Sequence, residues 1–247
     1  MIEFTIHIAG KTASVTAIHE STKQFCKDYL CDAKPDFAVQ ITPADILFEQ
    51  NKSKQEDQLE GRPERRFSDL YLETIAVQRK IAEQLFSFDT LLFHGSSIAV
   101  DGKGYLFTAR SGTGKSTHTR LWREMLGQRA VMINDDKPFL GFDKNVVNVY
   151  GSPWNGKHRL GSNLCVPLKA ICILERGTEN KIQPITAVQA LPMLMQQSHR
   201  PAHKTHFPKY LEMIDRLASG TAFYQLVCNM DPSAAAVSYE GMKSPKV

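Results

Sequence analysis

The sequence predicts an α/β protein whose core is a mixed β-sheet flanked by helices, preceded by a small β-rich region. Three observations carry this. A glycine-rich run, A-R-S-G-T-G-K-S at residues 109–116, follows an apolar strand and opens a helix. That strand is reached through Asp101-Gly102, a two-residue hairpin signal, so it pairs antiparallel with the strand before it. A doubly wound sheet would make that connection through a βα crossover, so the hairpin makes the sheet mixed. Finally, a short apolar strand at residues 130–133 ends in Asn134-Asp135-Asp136.

Taken in order, the chain begins with alternation. Phe4, Ile6 and Ile8 share one face, and a turn at Ala9-Gly10-Lys11-Thr12 leads into a second strand at residues 13–17. Residues 37–41 form a further strand candidate. Residues 51–66 are polar and contain Gly61 and Pro63, which reads as a loop or linker. The expected organisation is therefore a β-rich region at 1–66 and a second domain at 67–247. Ser68 is a candidate N-cap, and Leu70, Ile75, Val77, Ile81 and Leu85 mark a helix ending near Phe86. Strands follow at about 90–93, 97–100 and 104–109, then a helix over roughly 116–126. Further on, residues 167–175 read as a buried strand, 186–195 and 208–217 as helices, and 221–227 as a strand. Asp231-Pro232 opens a last helix through Met242, with proline at its first position.

Composition excludes several classes. Lys+Arg 30 against Asp+Glu 26 gives a net charge of +4, too mild to imply nucleic acid. The N-terminus lacks the pattern of a signal peptide, and no apolar run reaches the ~20 residues that span a bilayer. A cytoplasmic protein with no membrane partner is expected. The five cysteines are scattered, without C-x-x-C or metal-ligand spacing, and read as reduced thiols.

The run at 109–116 fits the Walker A spacing of a P-loop, with alanine in the leading glycine position. Gly112 and Gly114 let the backbone turn its N–H groups toward phosphate. Arg110, Ser111, Gly112, Thr113, Gly114, Lys115, Ser116 and Thr117 are the expected nucleotide-binding residues. Lys115 would lie on the β- and γ-phosphates, and Ser116 would hold Mg²⁺ through its hydroxyl. The helix that follows points its positive end at the same anion. ATP and Mg²⁺ are thus the expected cofactors, with no base-reading motif to separate ATP from GTP.

A carboxylate ending a buried strand after such a helix is the Walker B arrangement, and Asp135 takes that role as a metal ligand. The second carboxylate suggests another task. Asp136 could accept the proton of an attacking hydroxyl as general base, or serve as a turn residue before Lys137-Pro138. Two close carboxylates raise one another's pKa, whereas a metal opposes the shift. His94, just before Gly95, reads by itself as structural more readily than as catalytic.

His94-Gly95, the hairpin, A-R-S-G-T-G-K-S and the Asp135-Asp136 pair together resemble the catalytic domain of HPr kinase/phosphorylase, over about residues 90–175. That fold is shared in outline with phosphoenolpyruvate carboxykinase. The resemblance implies a mixed-sheet P-loop core, a triphosphate and Mg²⁺ on the loop, and Asp136 as base toward a serine hydroxyl. It also implies a supporting role for His94 beside the aspartates. Hexamers occur in that family, so a homo-oligomer is compatible with it. Val149-Tyr150-Gly151-Ser152-Pro153-Trp154-Asn155-Gly156-Lys157 stands where the family carries an R-G-x-G-type signature. Phosphorolysis and HPr itself as acceptor are accordingly not expected.

Two segments stay open. In the first, Lys157 and Arg159 could neutralise a transferring phosphoryl group while Trp154 offers a flat face; alternatively, Trp154 anchors a packed loop beside two solvated cations. Lys157 is counted with Asp136, His94 and Lys115 as an expected catalytic residue. In the second, His199, His203 and His206 with Arg200 and Lys204 form a cationic loop or a plain connector. The leading functional expectation is a kinase, transferring the γ-phosphoryl group to a serine-type hydroxyl on a peptide, protein or small molecule. The alternative is a P-loop ATPase or nucleotide-gated binding module with no acceptor.

Overall fold

The computed structural model describes residues 1–144, 146–156 and 158–243. The chain divides into two compact units, Met1–Ser87 and Phe88–Val247.

The first unit carries a three-stranded sheet. Strands β1 (Ile2–Ile8) and β2 (Lys11–Ala17) form the expected hairpin, and β3 (Phe37–Gln40) joins β2 in parallel. Ala9 and Gly10 make the turn with φ of 50° and 73°, the left-handed pair that matches strand twist. Helices α1 (Glu20–Phe25), α2 (Pro43–Leu59) and α3 (Asp69–Phe86) complete the unit.

Two expectations are corrected here. Residues 51–66 are not simply a linker, because α2 runs through Leu59. Thr42 and Asp45 form a capping box and Pro43 opens the helix. Its weak apolar stripe is replaced by ion pairs to α3: Arg79 Nε reaches Glu49 Oε1 at 2.5 Å, and Lys80 Nζ reaches Asp45 Oδ2 at 2.8 Å. The division also falls after α3 rather than at residue 66, so the first unit carries three helices beside its three strands. The buried Glu73 on α3 explains why. Its carboxylate accepts from His19 N at 3.1 Å and Thr22 Oγ1 at 2.6 Å, neutralising the start of α1.

The second unit is built on a mixed, curled sheet. Its strands are β4 (Thr90–Leu92), β5 (Ser96–Val100), β6 (Lys103–Thr108), β7 (Ala130–Asn134), β8 (Phe139–Asp143), β9 (Val146–Tyr150), β10 (Cys165–Arg176), β11 (Lys181–Ile185) and β12 (Ala222–Cys228). The order is β4-β8-β9-β10-β6-β5-β7, with β12 pairing β10 and β11. The long β10 curls the sheet: its start pairs antiparallel with β9, and its remainder pairs parallel with β6 and β12.

Helices α4 (Lys115–Leu126) and α7 (Ser233–Lys243) share a core with the sheet, where Phe107, Trp122, Leu174, Leu226 and Met242 are buried. Each such side chain contributes about 1.5–3 kcal/mol. Ser238 ties the helices: its hydroxyl takes the Trp122 Nε1–H at 2.8 Å and lies 2.9 Å from His118 Nε2. Helices α5 (Ala187–Gln197) and α6 (Phe207–Gly220) pack together, with α6 also against β9. No helix among the described residues is long and apolar enough to cross a membrane.

Candidate functional site

One topological fact assembles the site. β5 lies between β6 and β7 and runs antiparallel to both. Its first residue therefore sits beside the last residues of its neighbours. Ser96 is opposite Phe107, and Ser97 is opposite Asn134. The segment His94-Gly95-Ser96 thus meets the glycine-rich loop and the aspartate pair at one end of the sheet.

The loop leaves β6 at Ala109. Gly112 and Gly114 have φ of 78° and 119°, and a Cβ on either would meet nothing within 4 Å. Backbone conformation, not space, requires glycine at both. Thr113 closes the turn, with N and Oγ1 donating to the Arg110 carbonyl at 3.3 and 2.9 Å. The Arg176 guanidinium, at the end of β10, donates to the Gly112 carbonyl. Parallel pairing of β10 with β6 brings it there, and no local sequence signal could have found it. Lys115 is buried and its ammonium donates to the Ala109 carbonyl at 3.3 Å. Burial, with the charge of Lys137, lowers its pKa; Asp136 and Asp135 oppose that shift.

Asp135 is buried at the end of β7. Ser96 Oγ donates to its Oδ1 at 2.6 Å, and the Ser116 hydroxyl lies near enough to act on its pKa. Burial raises its pKa, the Asp136 charge adds to the rise, and the Ser96 and Ser116 hydroxyls act against it. Asp136 is instead partly exposed. His94 Nε2 stands 3.4 Å from its Oδ1, and Lys137 Nζ stands 3.5 Å from the same oxygen. Gly156 (φ 64°) lies against it: a Cβ there would be 3.5 Å from Asp136 Cβ.

His94 is held on both sides. Its N–H donates to the Gln197 carbonyl at 2.8 Å, and its carbonyl accepts from Thr108 Oγ1 at 3.0 Å. Burial, then the charges of Lys137 and Lys115, push its pKa down to about 4, against the pull of Asp136 and Gln197. The close approach to Asp136 is therefore made by a neutral imidazole at pH 7, and it is not an ion pair.

Asn134 organises the turn. It is fully buried, and its Oδ1 accepts from the N–H groups of Asp136 (2.8 Å) and Lys137 (2.6 Å). Its amide donates to the Ser152 carbonyl, Ser152 Oγ and Asn155 Oδ1 at 3.1, 2.9 and 2.7 Å. Ser152 Oγ donates on to the Lys137 carbonyl at 2.6 Å. Asn134, Ser96, Ser152 and Gln197 were not singled out from the sequence. A polar residue ending a buried apolar strand was the available signal for Asn134.

The structure brings Lys115, Ser116, Asp135, Asp136 and His94 together, while Arg110, Ser111, Thr113 and Thr117 follow the loop and first turn. Lys157 lies outside the described residues. Trp154 is buried and offers no flat face to a ligand. His203 and His206 form a ring contact at 5.8 Å. Among the described residues, no three His, Cys, Asp or Glu side chains gather as a metal-holding group.

Residues 67–234 match the family model described as SynChlorMet cassette protein ScmC, and the chain belongs to that family. No curated protein matches it. Among solved structures, it is similar to the HPr(Ser) kinase/phosphatase from Coxiella burnetii, at 13% identity over 51% of this chain and 93% of that chain, with a TM-score of 0.29. A likeness at that level carries no argument about chemistry.

Proposed function

We propose that this member of the ScmC family binds a nucleoside triphosphate with Mg²⁺ at residues 109–117 and transfers the γ-phosphoryl group to a serine-type hydroxyl. The acceptor would be carried on a peptide, a protein or a small molecule. The observation that carries the reading is the contrast between the two aspartates. Asp135 is buried with the Ser96 hydroxyl on its Oδ1, whereas Asp136 is partly exposed and faced by His94.

The donor set suits Mg²⁺. A hydroxyl and a carboxylate are hard oxygen ligands, and a carboxylate made costly by burial gains from a cation beside it. Ser116 and Asp135 would hold the ion, which would neutralise charge on the phosphate oxygens. The amides of the glycine-rich loop and the Lys115 ammonium would take the phosphates. Asp136 would accept the proton of the acceptor hydroxyl. Neutral His94 would donate to Asp136 and fix the lone pair aimed at that proton. Lys157 joins this reading from the sequence alone, as a further cation for the phosphoryl group.

The test is transfer of label from γ-labelled ATP with Mg²⁺ into a cell extract split into protein and small-molecule fractions. Label in one fraction, lost with Asp136→Asn while nucleotide binding persists, supports the kinase reading and names the acceptor class. Release of free phosphate alone would replace it with an ATPase.

A further inference from the structure

We propose that Lys137 is a second phosphoryl-binding cation of this site, contacting the group in flight from the acceptor side. The proposal rests on the nucleotide-binding reading above.

Three observations converge on this side chain. Its ammonium stands 3.5 Å from Asp136 Oδ1, the same oxygen that faces His94. That shared oxygen sets the ammonium beside the His94 ring, and its charge also acts on Lys115. Its backbone is clamped: the N–H donates to Asn134 Oδ1 at 2.6 Å and the carbonyl accepts from Ser152 Oγ at 2.6 Å. The Pro138 carbonyl accepts from Phe93 N at 3.0 Å, which fixes the next residue too. The clamped backbone fixes where the four-carbon stem starts, and Asp136 fixes where its charge rests.

Charge bookkeeping gives Lys137 its task. Before transfer, Lys137 is balanced by Asp136. As the acceptor oxygen attacks γ-phosphorus, its proton passes to Asp136. The bond from phosphorus to the β–γ bridging oxygen breaks, and its electron pair leaves with the nucleoside diphosphate. Asp136 is then neutral, and Lys137 has lost its partner just as negative charge builds on the phosphoryl oxygens nearby. An ammonium whose counter-charge moves onto the reacting group binds the transition state more tightly than the ground state. Lys115 does not duplicate this, because it reaches the phosphates from the loop that would hold them in substrate and product alike.

The test uses the full chain with MgADP, alone and with aluminium fluoride, a mimic of the phosphoryl group in flight. Wild type, Lys137→Met, Lys137→Gln and Lys137→Arg are titrated by calorimetry, with thermal melts confirming the fold. The Lys137 side chain is 29% exposed, so its replacement leaves no buried group behind. MgADP alone should bind all four within about twofold. The extra tightness conferred by fluoride should fall at least ~10-fold in Lys137→Met and Lys137→Gln and be largely restored in Lys137→Arg. Full fluoride tightening in the Met and Gln variants would overturn the proposal and leave Lys137 as a partner of Asp136 alone. Absence of fluoride tightening in wild type would overturn it as well. Failure of wild type to bind MgADP would remove the nucleotide reading, and this proposal with it.

Discussion

The Asn134 side-chain amide donates to Asn155 Oδ1 at 2.7 Å, while its carbonyl oxygen holds the N–H groups of Asp136 and Lys137. One fully buried amide therefore fixes the aspartate turn and the segment that lies against it. Gly161 shows how tight that segment is, since a Cβ there would come 2.2 Å from Asn155 Oδ1.

Asn134→Ala should destabilise the second unit by about 2–4 kcal/mol, because it strands several buried donors and acceptors at once. Urea unfolding checks this. A loss under ~1 kcal/mol would mean that water replaces the amide and that Asn134 is not the organiser of the turn.

Gly114→Ala should cost about 1–2 kcal/mol from backbone strain alone, since φ is 119° and the added methyl meets nothing within 4 Å. It should also weaken MgADP binding. Gly104→Ala makes the contrast: its Cβ would lie 2.5 Å from Val149 Cγ1, so it should destabilise the sheet by steric overlap. Thermal melts and nucleotide titration of both variants separate a conformational requirement from a packing one.

Stability should fall as pH drops from about 6.5 toward 4. His94 and His118 both have folded-state pKa values pushed down to about 4 from an ordinary 6.5, and burial is the largest cause in each. Below 6.5 the unfolded chain takes up protons that the folded one refuses, so each histidine adds a slope approaching ~1.4 kcal/mol per pH unit across that window. The stability they contribute is present in full above 6.5. Glu73 acts lower: burial raises its pKa, but the hydrogen bonds from Thr22, Ile18 and His19 outweigh that and hold it below 4.5. Its contribution is lost as pH falls beneath that value. Urea midpoints measured from pH 7 to 4 should decline, and His118→Gln should flatten the slope; an unchanged slope would show that His118 protonates without cost.

Arg79→Met should loosen α2 from α3. The guanidinium pairs with Glu49, Asp45 and Glu83 and lies 4.7 Å from the centre of the Phe48 ring. Removing it leaves the buried Glu49 unpaired, at a cost of roughly 3 kcal/mol. Amide exchange along Pro43–Leu59 should rise well before that of β1 and β2. Equal protection across the unit would assign the helix to other contacts.

What the sequence determined by itself is local. The Ala9-Gly10 and Asp101-Gly102 hairpins, the Ser68 cap of α3, and the β6–loop–α4 unit follow from residues adjacent in the chain. Left-handed glycines, caps and apolar strands are selected by short-range backbone energetics, which a window of ten residues contains. The antiparallel hairpin also made the sheet mixed, and strand order then carried His94 to the aspartates.

Only the tertiary structure decided the rest. Helix α2 has little apolar stripe and is held by Arg79 and Lys80, 30 and 35 residues from the Glu49 and Asp45 they pair with, so its second half, from residue 51, reads as loop. Trp154 has one identity whether it faces a ligand or a core; only packing buries it. Ser96 reaches Asp135, and Arg176 reaches Gly112, through strand pairing and not through spacing. The neutral state of His94 depends on burial and on two lysines from separate elements. Desolvation and Coulomb interaction act through space, and no stretch of sequence short enough to read by pattern contains both partners.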